Sequence, residues 1–209
     1  GGKHSADAWA WGAMLMPYVE QQSLFDALDT DSHPTGMDNV KLLPTPMGIF
    51  RCPSEVGPRL ETFHDAFTFE KVQITVDNYV YSGSVPKECS FQRVLDGMSN
   101  TIMLGETVYK SVRDPVGFGG IVAGPSWCCG VIGLYGFSDA YFSLPEMNVW
   151  PPWIVPPSHE VSMFLFSSYH PGGAQFTLFD GSVRFLSATI DQATLEALLT
   201  VNGREPVPA

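Results

Sequence analysis

Between Ser168 and Leu186 the chain reads Ser-Tyr-His-Pro-Gly-Gly-Ala-Gln-Phe-Thr-Leu-Phe-Asp-Gly-Ser-Val-Arg-Phe-Leu. Two segments rich in β-branched and aromatic residues flank Asp180-Gly181. That dipeptide suits a two-residue type I′ turn, in which both central residues need φ > 0. The stretch therefore predicts a tight antiparallel hairpin in which Phe179 faces Ser182, Leu178 faces Val183, Thr177 faces Arg184 and Phe176 faces Phe185. This register places Phe176, Leu178, Val183 and Phe185 on one face and Gln175, Thr177, Ser182 and Arg184 on the other, as a half-buried sheet requires. His170-Pro171-Gly172-Gly173 is the turn that delivers the chain into the first strand. Beyond the hairpin, Asp191 is placed to cap a helix from about Gln192 to Thr200. Leu195, Leu198 and Leu199 stand there at helical spacing, with Gly203 past the end.

The rest of the chain is compatible with one α+β domain over residues 1–209. Charged residues make up 16% and apolar residues 44%, with 20 Gly, 17 Pro and 14 Phe, a balance that suits sheets and loops rather than a helical bundle. The net charge of −11, from 22 acidic against 11 basic residues, repels polyanions and excludes a nucleic-acid partner. No apolar run approaches the length of about 18 residues needed to cross a bilayer. The chain opens on Gly-Gly-Lys-His without Met, and we expect its natural start to lie upstream. The four cysteines, Cys52, Cys89 and the adjacent Cys128-Cys129, match neither a CxxC motif nor a zinc spacing. A Cys52–Cys89 disulfide and inert buried thiols are both open readings.

Taken in order, Ser5 to Leu28 is the most helix-like part of the N-terminal third. Pro17 is expected to start a second helix with Glu20 in its first turn. Trp9, Trp11, Leu15 and Met16 read as core, or as a groove for a partner helix. Residues 29–46 read as a loop. Its aspartates Asp29, Asp31 and Asp38 are candidate calcium ligands, although the order of an EF-hand loop is missing. Ile49 to Ser54 reads as a short strand ending in a turn, and Lys71 to Ser82 as strand broken at Asp77-Asn78. Asp96-Gly97 marks a turn before a buried strand, Ile102 to Glu106, whose terminal carboxylate stands where catalytic carboxylates are often found; backbone donors or an arginine are its bland partners. Residues 111–158 form a loop-rich insertion, glycine-rich at first and then carrying Pro145, Pro151, Pro152, Pro156 and Pro157. Val161 to Ser167 reads as a strand leading into the hairpin.

No catalytic motif is complete. His159-Glu160-Val161-Ser162-Met163 begins like a zinc-protease helix but has Met at the second histidine position. Gly117-x-Gly119-Gly120 lacks the spacing of a phosphate or dinucleotide loop, and no Gly-x-Ser-x-Gly elbow occurs. His170 and Asp180 sit at opposite ends of one predicted strand. His170 is expected to bond backbone near its turn and Asp180 to hold the hairpin. Rival functional readings are a glycan or small-ligand surface built on Trp127, Trp150 and Trp153, and a metal-dependent hydrolase built from His64, Asp65, Glu106, His159, His170 and Asp180.

Several stretches together resemble a planctomycete family, domain of unknown function 1559. His170, nine residues, then Asp180-Gly181 resembles its C-terminal signature. Met14-Leu15-Met16-Pro17-Tyr18-Val19-Glu20-Gln21-Gln22 resembles its "LLPYLEQ" segment, Phe50 to Ser54 its "F-x-C-P-S", Asn78-Tyr79 its "NY", and Asp96-Gly97-Met98-Ser99-Asn100-Thr101 through Gly105-Glu106 its "DGTSNT…GE". The resemblance implies a pilin- or pseudopilin-like α+β head with N-terminal helices on an antiparallel sheet, and a long N-terminal anchor helix upstream of this chain. It also implies an extracytoplasmic envelope or periplasmic location, other pilin-like subunits as partners, and membrane contact only through that helix. No catalysis and no cofactor follow from it, calcium being a weaker option by analogy with major pseudopilins. His170, Gly172, Gly173, Asp180, Gly181, Asp96, Gly97 and Glu106 carry the signature and are expected to be structural.

Overall fold

In the computed structural model, residues 9–64, 71–82, 89–108, 112–113, 121–123, 126–128 and 166–203 are described. The chain divides into two compact units, each assembled from two separate stretches. The first comprises Gly1–Asn78 with Tyr109–Asp139, the second Tyr79–Val108 with Ala140–Ala209. Short helices and mostly antiparallel sheets give an α+β protein. Among the described residues no helix is long and apolar enough to cross a membrane.

The first unit begins with helices α1 (Trp11–Leu15) and α2 (Gln22–Ala27). Pro17 lies in a 3-10 turn, Met16–Tyr18, rather than at the head of a second helix. Glu20 ends that turn in the left-handed region at φ 61°, and the Gln21 N–H closes back on the Met16 carbonyl at 3.1 Å, a Schellman stop with Glu where Gly is usual. The expected first-turn role of Glu20 is thus replaced by a helix-terminating one. Residues 48–50 also form a 3-10 turn, so the strand expected from Ile49 does not form.

A four-stranded sheet of order β2-β1-β6-β5 completes this unit, from β1 (Leu60–His64), β2 (Lys71–Thr75), β5 (Val112–Arg113) and β6 (Ile121–Ala123). It is mixed, because β1 and β6 run parallel. In β2 the alternation is plain: Val72 and Ile74 are buried while Lys71 and Gln73 face solvent. They join Ala13, Met16, Leu43, Phe50 and Trp127 in one apolar cluster. Trp11 adds an edge-to-face contact with Phe50, ring centroids 5.5 Å apart.

The second unit is built on a fully antiparallel sheet of order β3-β4-β7-β8, from β3 (Tyr79–Tyr81), β4 (Ile102–Glu106), β7 (Gly173–Leu178) and β8 (Val183–Ser187). Helix α3 (Gln192–Leu199) follows, capped as expected by Asp191, whose carboxylate accepts the Thr194 N–H at 3.1 Å. It buries Leu195, Leu198 and Leu199. Phe166 and Phe176 meet edge to face, centroids 5.0 Å apart, against the middle of β4.

The hairpin forms, but one residue out of the predicted register. Thr177 pairs with Val183, Phe176 with Arg184 and Gln175 with Phe185. The loop is three residues, not two. Gly181 N–H bonds the Leu178 carbonyl at 3.0 Å, Leu178 N–H bonds the Ser182 carbonyl at 2.9 Å, and only Gly181 has positive φ, 81°. This is a type I turn closed by a left-handed glycine, the other common use of Asp-Gly. Asp180 selects it, because its Oδ1 accepts both the Ser182 N–H (2.9 Å) and hydroxyl (2.6 Å). A slip of one residue exchanges the faces of one strand. Phe176 and Leu178 remain buried, whereas Val183 and Phe185 are 62% and 48% exposed on the edge strand β8.

Candidate functional site

Glu106 ends β4, and its position is set by a register irregularity. Between Ile102↔Leu178 and Leu104↔Thr177 the β4 strand carries one extra residue, a bulge at Met103. With Gly105 opposite Phe176, the next step of the ladder puts Glu106 opposite Gln175. The Glu106 carboxylate takes up that position directly, its Oε2 accepting the Gln175 N–H at 2.8 Å. The Glu106 carbonyl meanwhile accepts the Ser167 N–H at 2.9 Å, tying the incoming chain to the same strand.

Its second carboxylate oxygen, Oε1, lies 3.2 Å from Nε2 of His170. The Glu106 side chain is 4% exposed and the imidazole 31%. A carboxylate this buried demands compensation, and here one oxygen takes a backbone amide while the other takes a ring nitrogen. The His170 backbone is steadied by its own N–H, which donates to the Ser168 hydroxyl at 3.2 Å. The outcome is a buried carboxylate that orients a one-third-exposed imidazole, so His170 has a side-chain partner where only turn backbone was expected.

The other signature residues are spent on fastening. Asp96 Oδ2 accepts the Thr200 hydroxyl at 2.9 Å and the Gly203 N–H at 2.8 Å, while Leu95 N–H bonds the Val201 carbonyl at 2.6 Å. The 96–101 turn thereby clasps the segment that leaves α3. Buried Thr101 contributes its hydroxyl to the Thr200 carbonyl at 3.3 Å. Gly97 and Gly172 hold left-handed turns at φ 96° and 82°. Gly173 lies where any side chain would strike the Leu186 backbone, so its absence of a Cβ lets β7 and β8 close. Tyr81, half-buried beside Cys89, has its phenol pushed up to about 12, chiefly by burial and then by its electrostatic interaction with Cys89.

Asp180 sits at the far end of β7 from His170, holding the turn as expected. Its hydrogen bonds from Ser182 hold the carboxyl below the ordinary Asp range, with Arg184 adding a smaller pull in the same direction. A depressed folded-state value means that the charge stabilises the protein above the unfolded value and loses that effect as pH falls through the folded one. Asp180→Asn, which keeps an acceptor but not the charge, is expected to melt below the parent at pH 7. The gap should close as the pH falls below the ordinary Asp value of about 3.9. A gap in melting temperature that does not change between neutral and acid pH would sink this reading.

Among the described residues, the other sequence-predicted candidates do not join this pair. Trp127 is fully buried, with 0% exposure, so it cannot belong to an open ligand surface. Trp150 and Trp153, like Asp65, His159, Cys129 and most of the 111–158 insertion, lie outside the described residues, as does the stretch 161–165 of the expected strand before the hairpin. Asp29, Asp31 and Asp38 form no metal-ligand group. Instead Asp29 accepts the Asp31 N–H at 3.2 Å, Asp38 lies 3.7 Å from Lys41, and buried Asn39 ties the loop by bonding the backbone of Asp29 and His33. Cys52 and Cys89 are thiols and not a disulfide: Cys52 is buried, and the Cys89 sulfur donates to the Ser90 carbonyl at 3.6 Å. The sequence groups Glu106 and His170 only within the wider set of candidate metal ligands and does not single out their direct contact, although a carboxylate closing the apolar run Ile-Met-Leu-Gly is a signal that a partner must exist.

Fold and site together define an α+β protein whose second unit is fastened by carboxylates from turns and strand ends, the carboxylate–imidazole pair of Glu106 and His170 among them. The chain belongs to the family described as "Protein of unknown function (DUF1559)", whose model matches residues 1–193. No curated protein and no solved structure matches it.

Proposed function

We propose that this chain is a structural head domain of the pilin or type II secretion pseudopilin kind, working outside the cytoplasm at the cell envelope by assembly with similar subunits, without catalysis. One observation carries the reading: the signature carboxylates are used to bind backbone. Asp96 holds Gly203, Glu106 holds Gln175 and Asp180 holds Ser182, each through an N–H donor. A family signature made of fasteners preserves a shape, and a shape is what an assembling subunit must keep. The anchor in this reading is an apolar helix upstream of the chain, cleaved and N-methylated like a prepilin.

The test is N-terminal sequencing with intact mass on the native protein from its own cells. The expected result is an N-methylated aromatic residue opening a run of about 20 apolar residues, long enough to span a bilayer. A start close to Gly1, or a conventionally cleaved signal peptide, would overturn it.

A further inference from the structure

We propose that Glu106 and His170 form two ligands of a site for a divalent first-row transition ion, of which Zn2+ is the probe of choice. Zn–N and Zn–O bonds of about 2.0–2.2 Å place two ligand atoms about 3.4 Å apart at the tetrahedral angle and about 3.0 Å apart at a right angle. The Glu106 Oε1 to His170 Nε2 separation of 3.2 Å lies between those limits, so an ion can enter between them with shifts of a few tenths of an ångström.

The supporting contacts are those a metal ligand needs. The Glu106 Oε2 is held by the Gln175 amide, which fixes the carboxylate plane and leaves Oε1 as the presented atom. His170 is steadied through Ser168, and both ligands stand on segments tied to β4 and β7. An imidazole with a carboxylate suits zinc, copper, nickel or iron better than calcium or magnesium, which prefer all-oxygen shells. The imidazole is one-third exposed, which leaves that ligand reachable from solvent while the carboxylate is buried. A net charge of −11 favours cation capture over anion capture.

The experiment is calorimetric titration of chelator-stripped full chain with Zn2+, beside Glu106→Gln and His170→Asn. Glu106→Gln retains an oxygen for the Gln175 amide, and His170→Asn alters a half-exposed turn residue, so both are expected to fold. The expected result is one Zn2+ per chain, a higher melting temperature with Zn2+ for the parent only, and affinity reduced at least about tenfold in each variant. Equal affinity in parent and variants would overturn the proposal, as would the absence of stoichiometric binding by the parent up to about 1 mM, the weak limit of useful affinity. Should Glu106→Gln lose its circular dichroism signature, His170→Asn and the parent titration decide alone.

Discussion

Gly105→Val is expected to unfold the second unit. Gly105 occupies the middle of the sheet, between β3 and β7, and a Cβ there would run into the Phe166 ring and come within 2.8 Å of the Phe176 ring. Those two rings are fully buried and already packed edge to face, so neither has a free rotamer to yield into. Overpacking of this kind costs about 1–3 kcal/mol for a single added group and more for a branched one. That is a large part of the roughly 5–15 kcal/mol that holds a domain together. Gly105→Ala should lower the melting temperature by several degrees and Gly105→Val should abolish the cooperative transition. Combining Gly105→Ala with Phe166→Leu, which removes the ring in the way, should recover part of the loss. Melting curves of the four proteins check this; a Gly105→Ala protein as stable as the parent would show that the rings do not press on β4 as described.

The same glycine shows why the chemistry was harder to read than the fold. Alternation in Val72 and Ile74, the Asp96-Gly97 turn before Ile102 and the Asp191 cap before Leu195 are local signals, carried by neighbouring residues, and the elements they foretell are present. The hairpin was legible in its existence but not in its register. Asp-Gly serves both a two-residue and a three-residue loop, and the choice rests on the side-chain bonds of Asp180 to Ser182, which periodicity does not encode. The same limit applies to Pro17, whose proline start signal was outweighed by the Schellman stop at Glu20.

The Glu106–His170 pair depends on three facts separated by many residues: the bulge at Met103, the turn at Gly172 and the antiparallel pairing of β4 with β7. None is visible from either residue's neighbours. The Asp96 clasp is similar, because its partners Thr200 and Gly203 lie more than a hundred residues downstream. Signature motifs in this chain are therefore halves of long-range contacts. Their meaning emerges only when the strands bring them together.

Trp127 provides the second large effect and separates a packing role from a ligand-binding one. It is buried in the first unit among Met16, Leu43, Phe50, Ile74 and Val76, and α1 comes so close that a Cβ on Gly12 would lie 2.6 Å from the Trp127 carbonyl oxygen. Trp127→Ala is therefore expected to cost about 3–5 kcal/mol, the range for deleting a large buried aromatic side chain. Among the described residues the buried indole N–H has no hydrogen-bond partner, and a desolvated donor of this kind costs about 1–3 kcal/mol to keep. Trp127→Phe removes that donor along with some volume, and the two effects oppose each other, so its net cost should stay below about 2 kcal/mol. Chemical denaturation of parent, Phe and Ala variants should rank them in that order, with Ala far below. A sugar-stacking platform would behave otherwise, since a ring exposed for a ligand is dispensable for folding. An Ala variant as stable as the parent but deficient in glycan binding would return Trp127 to the surface and refute the packing described.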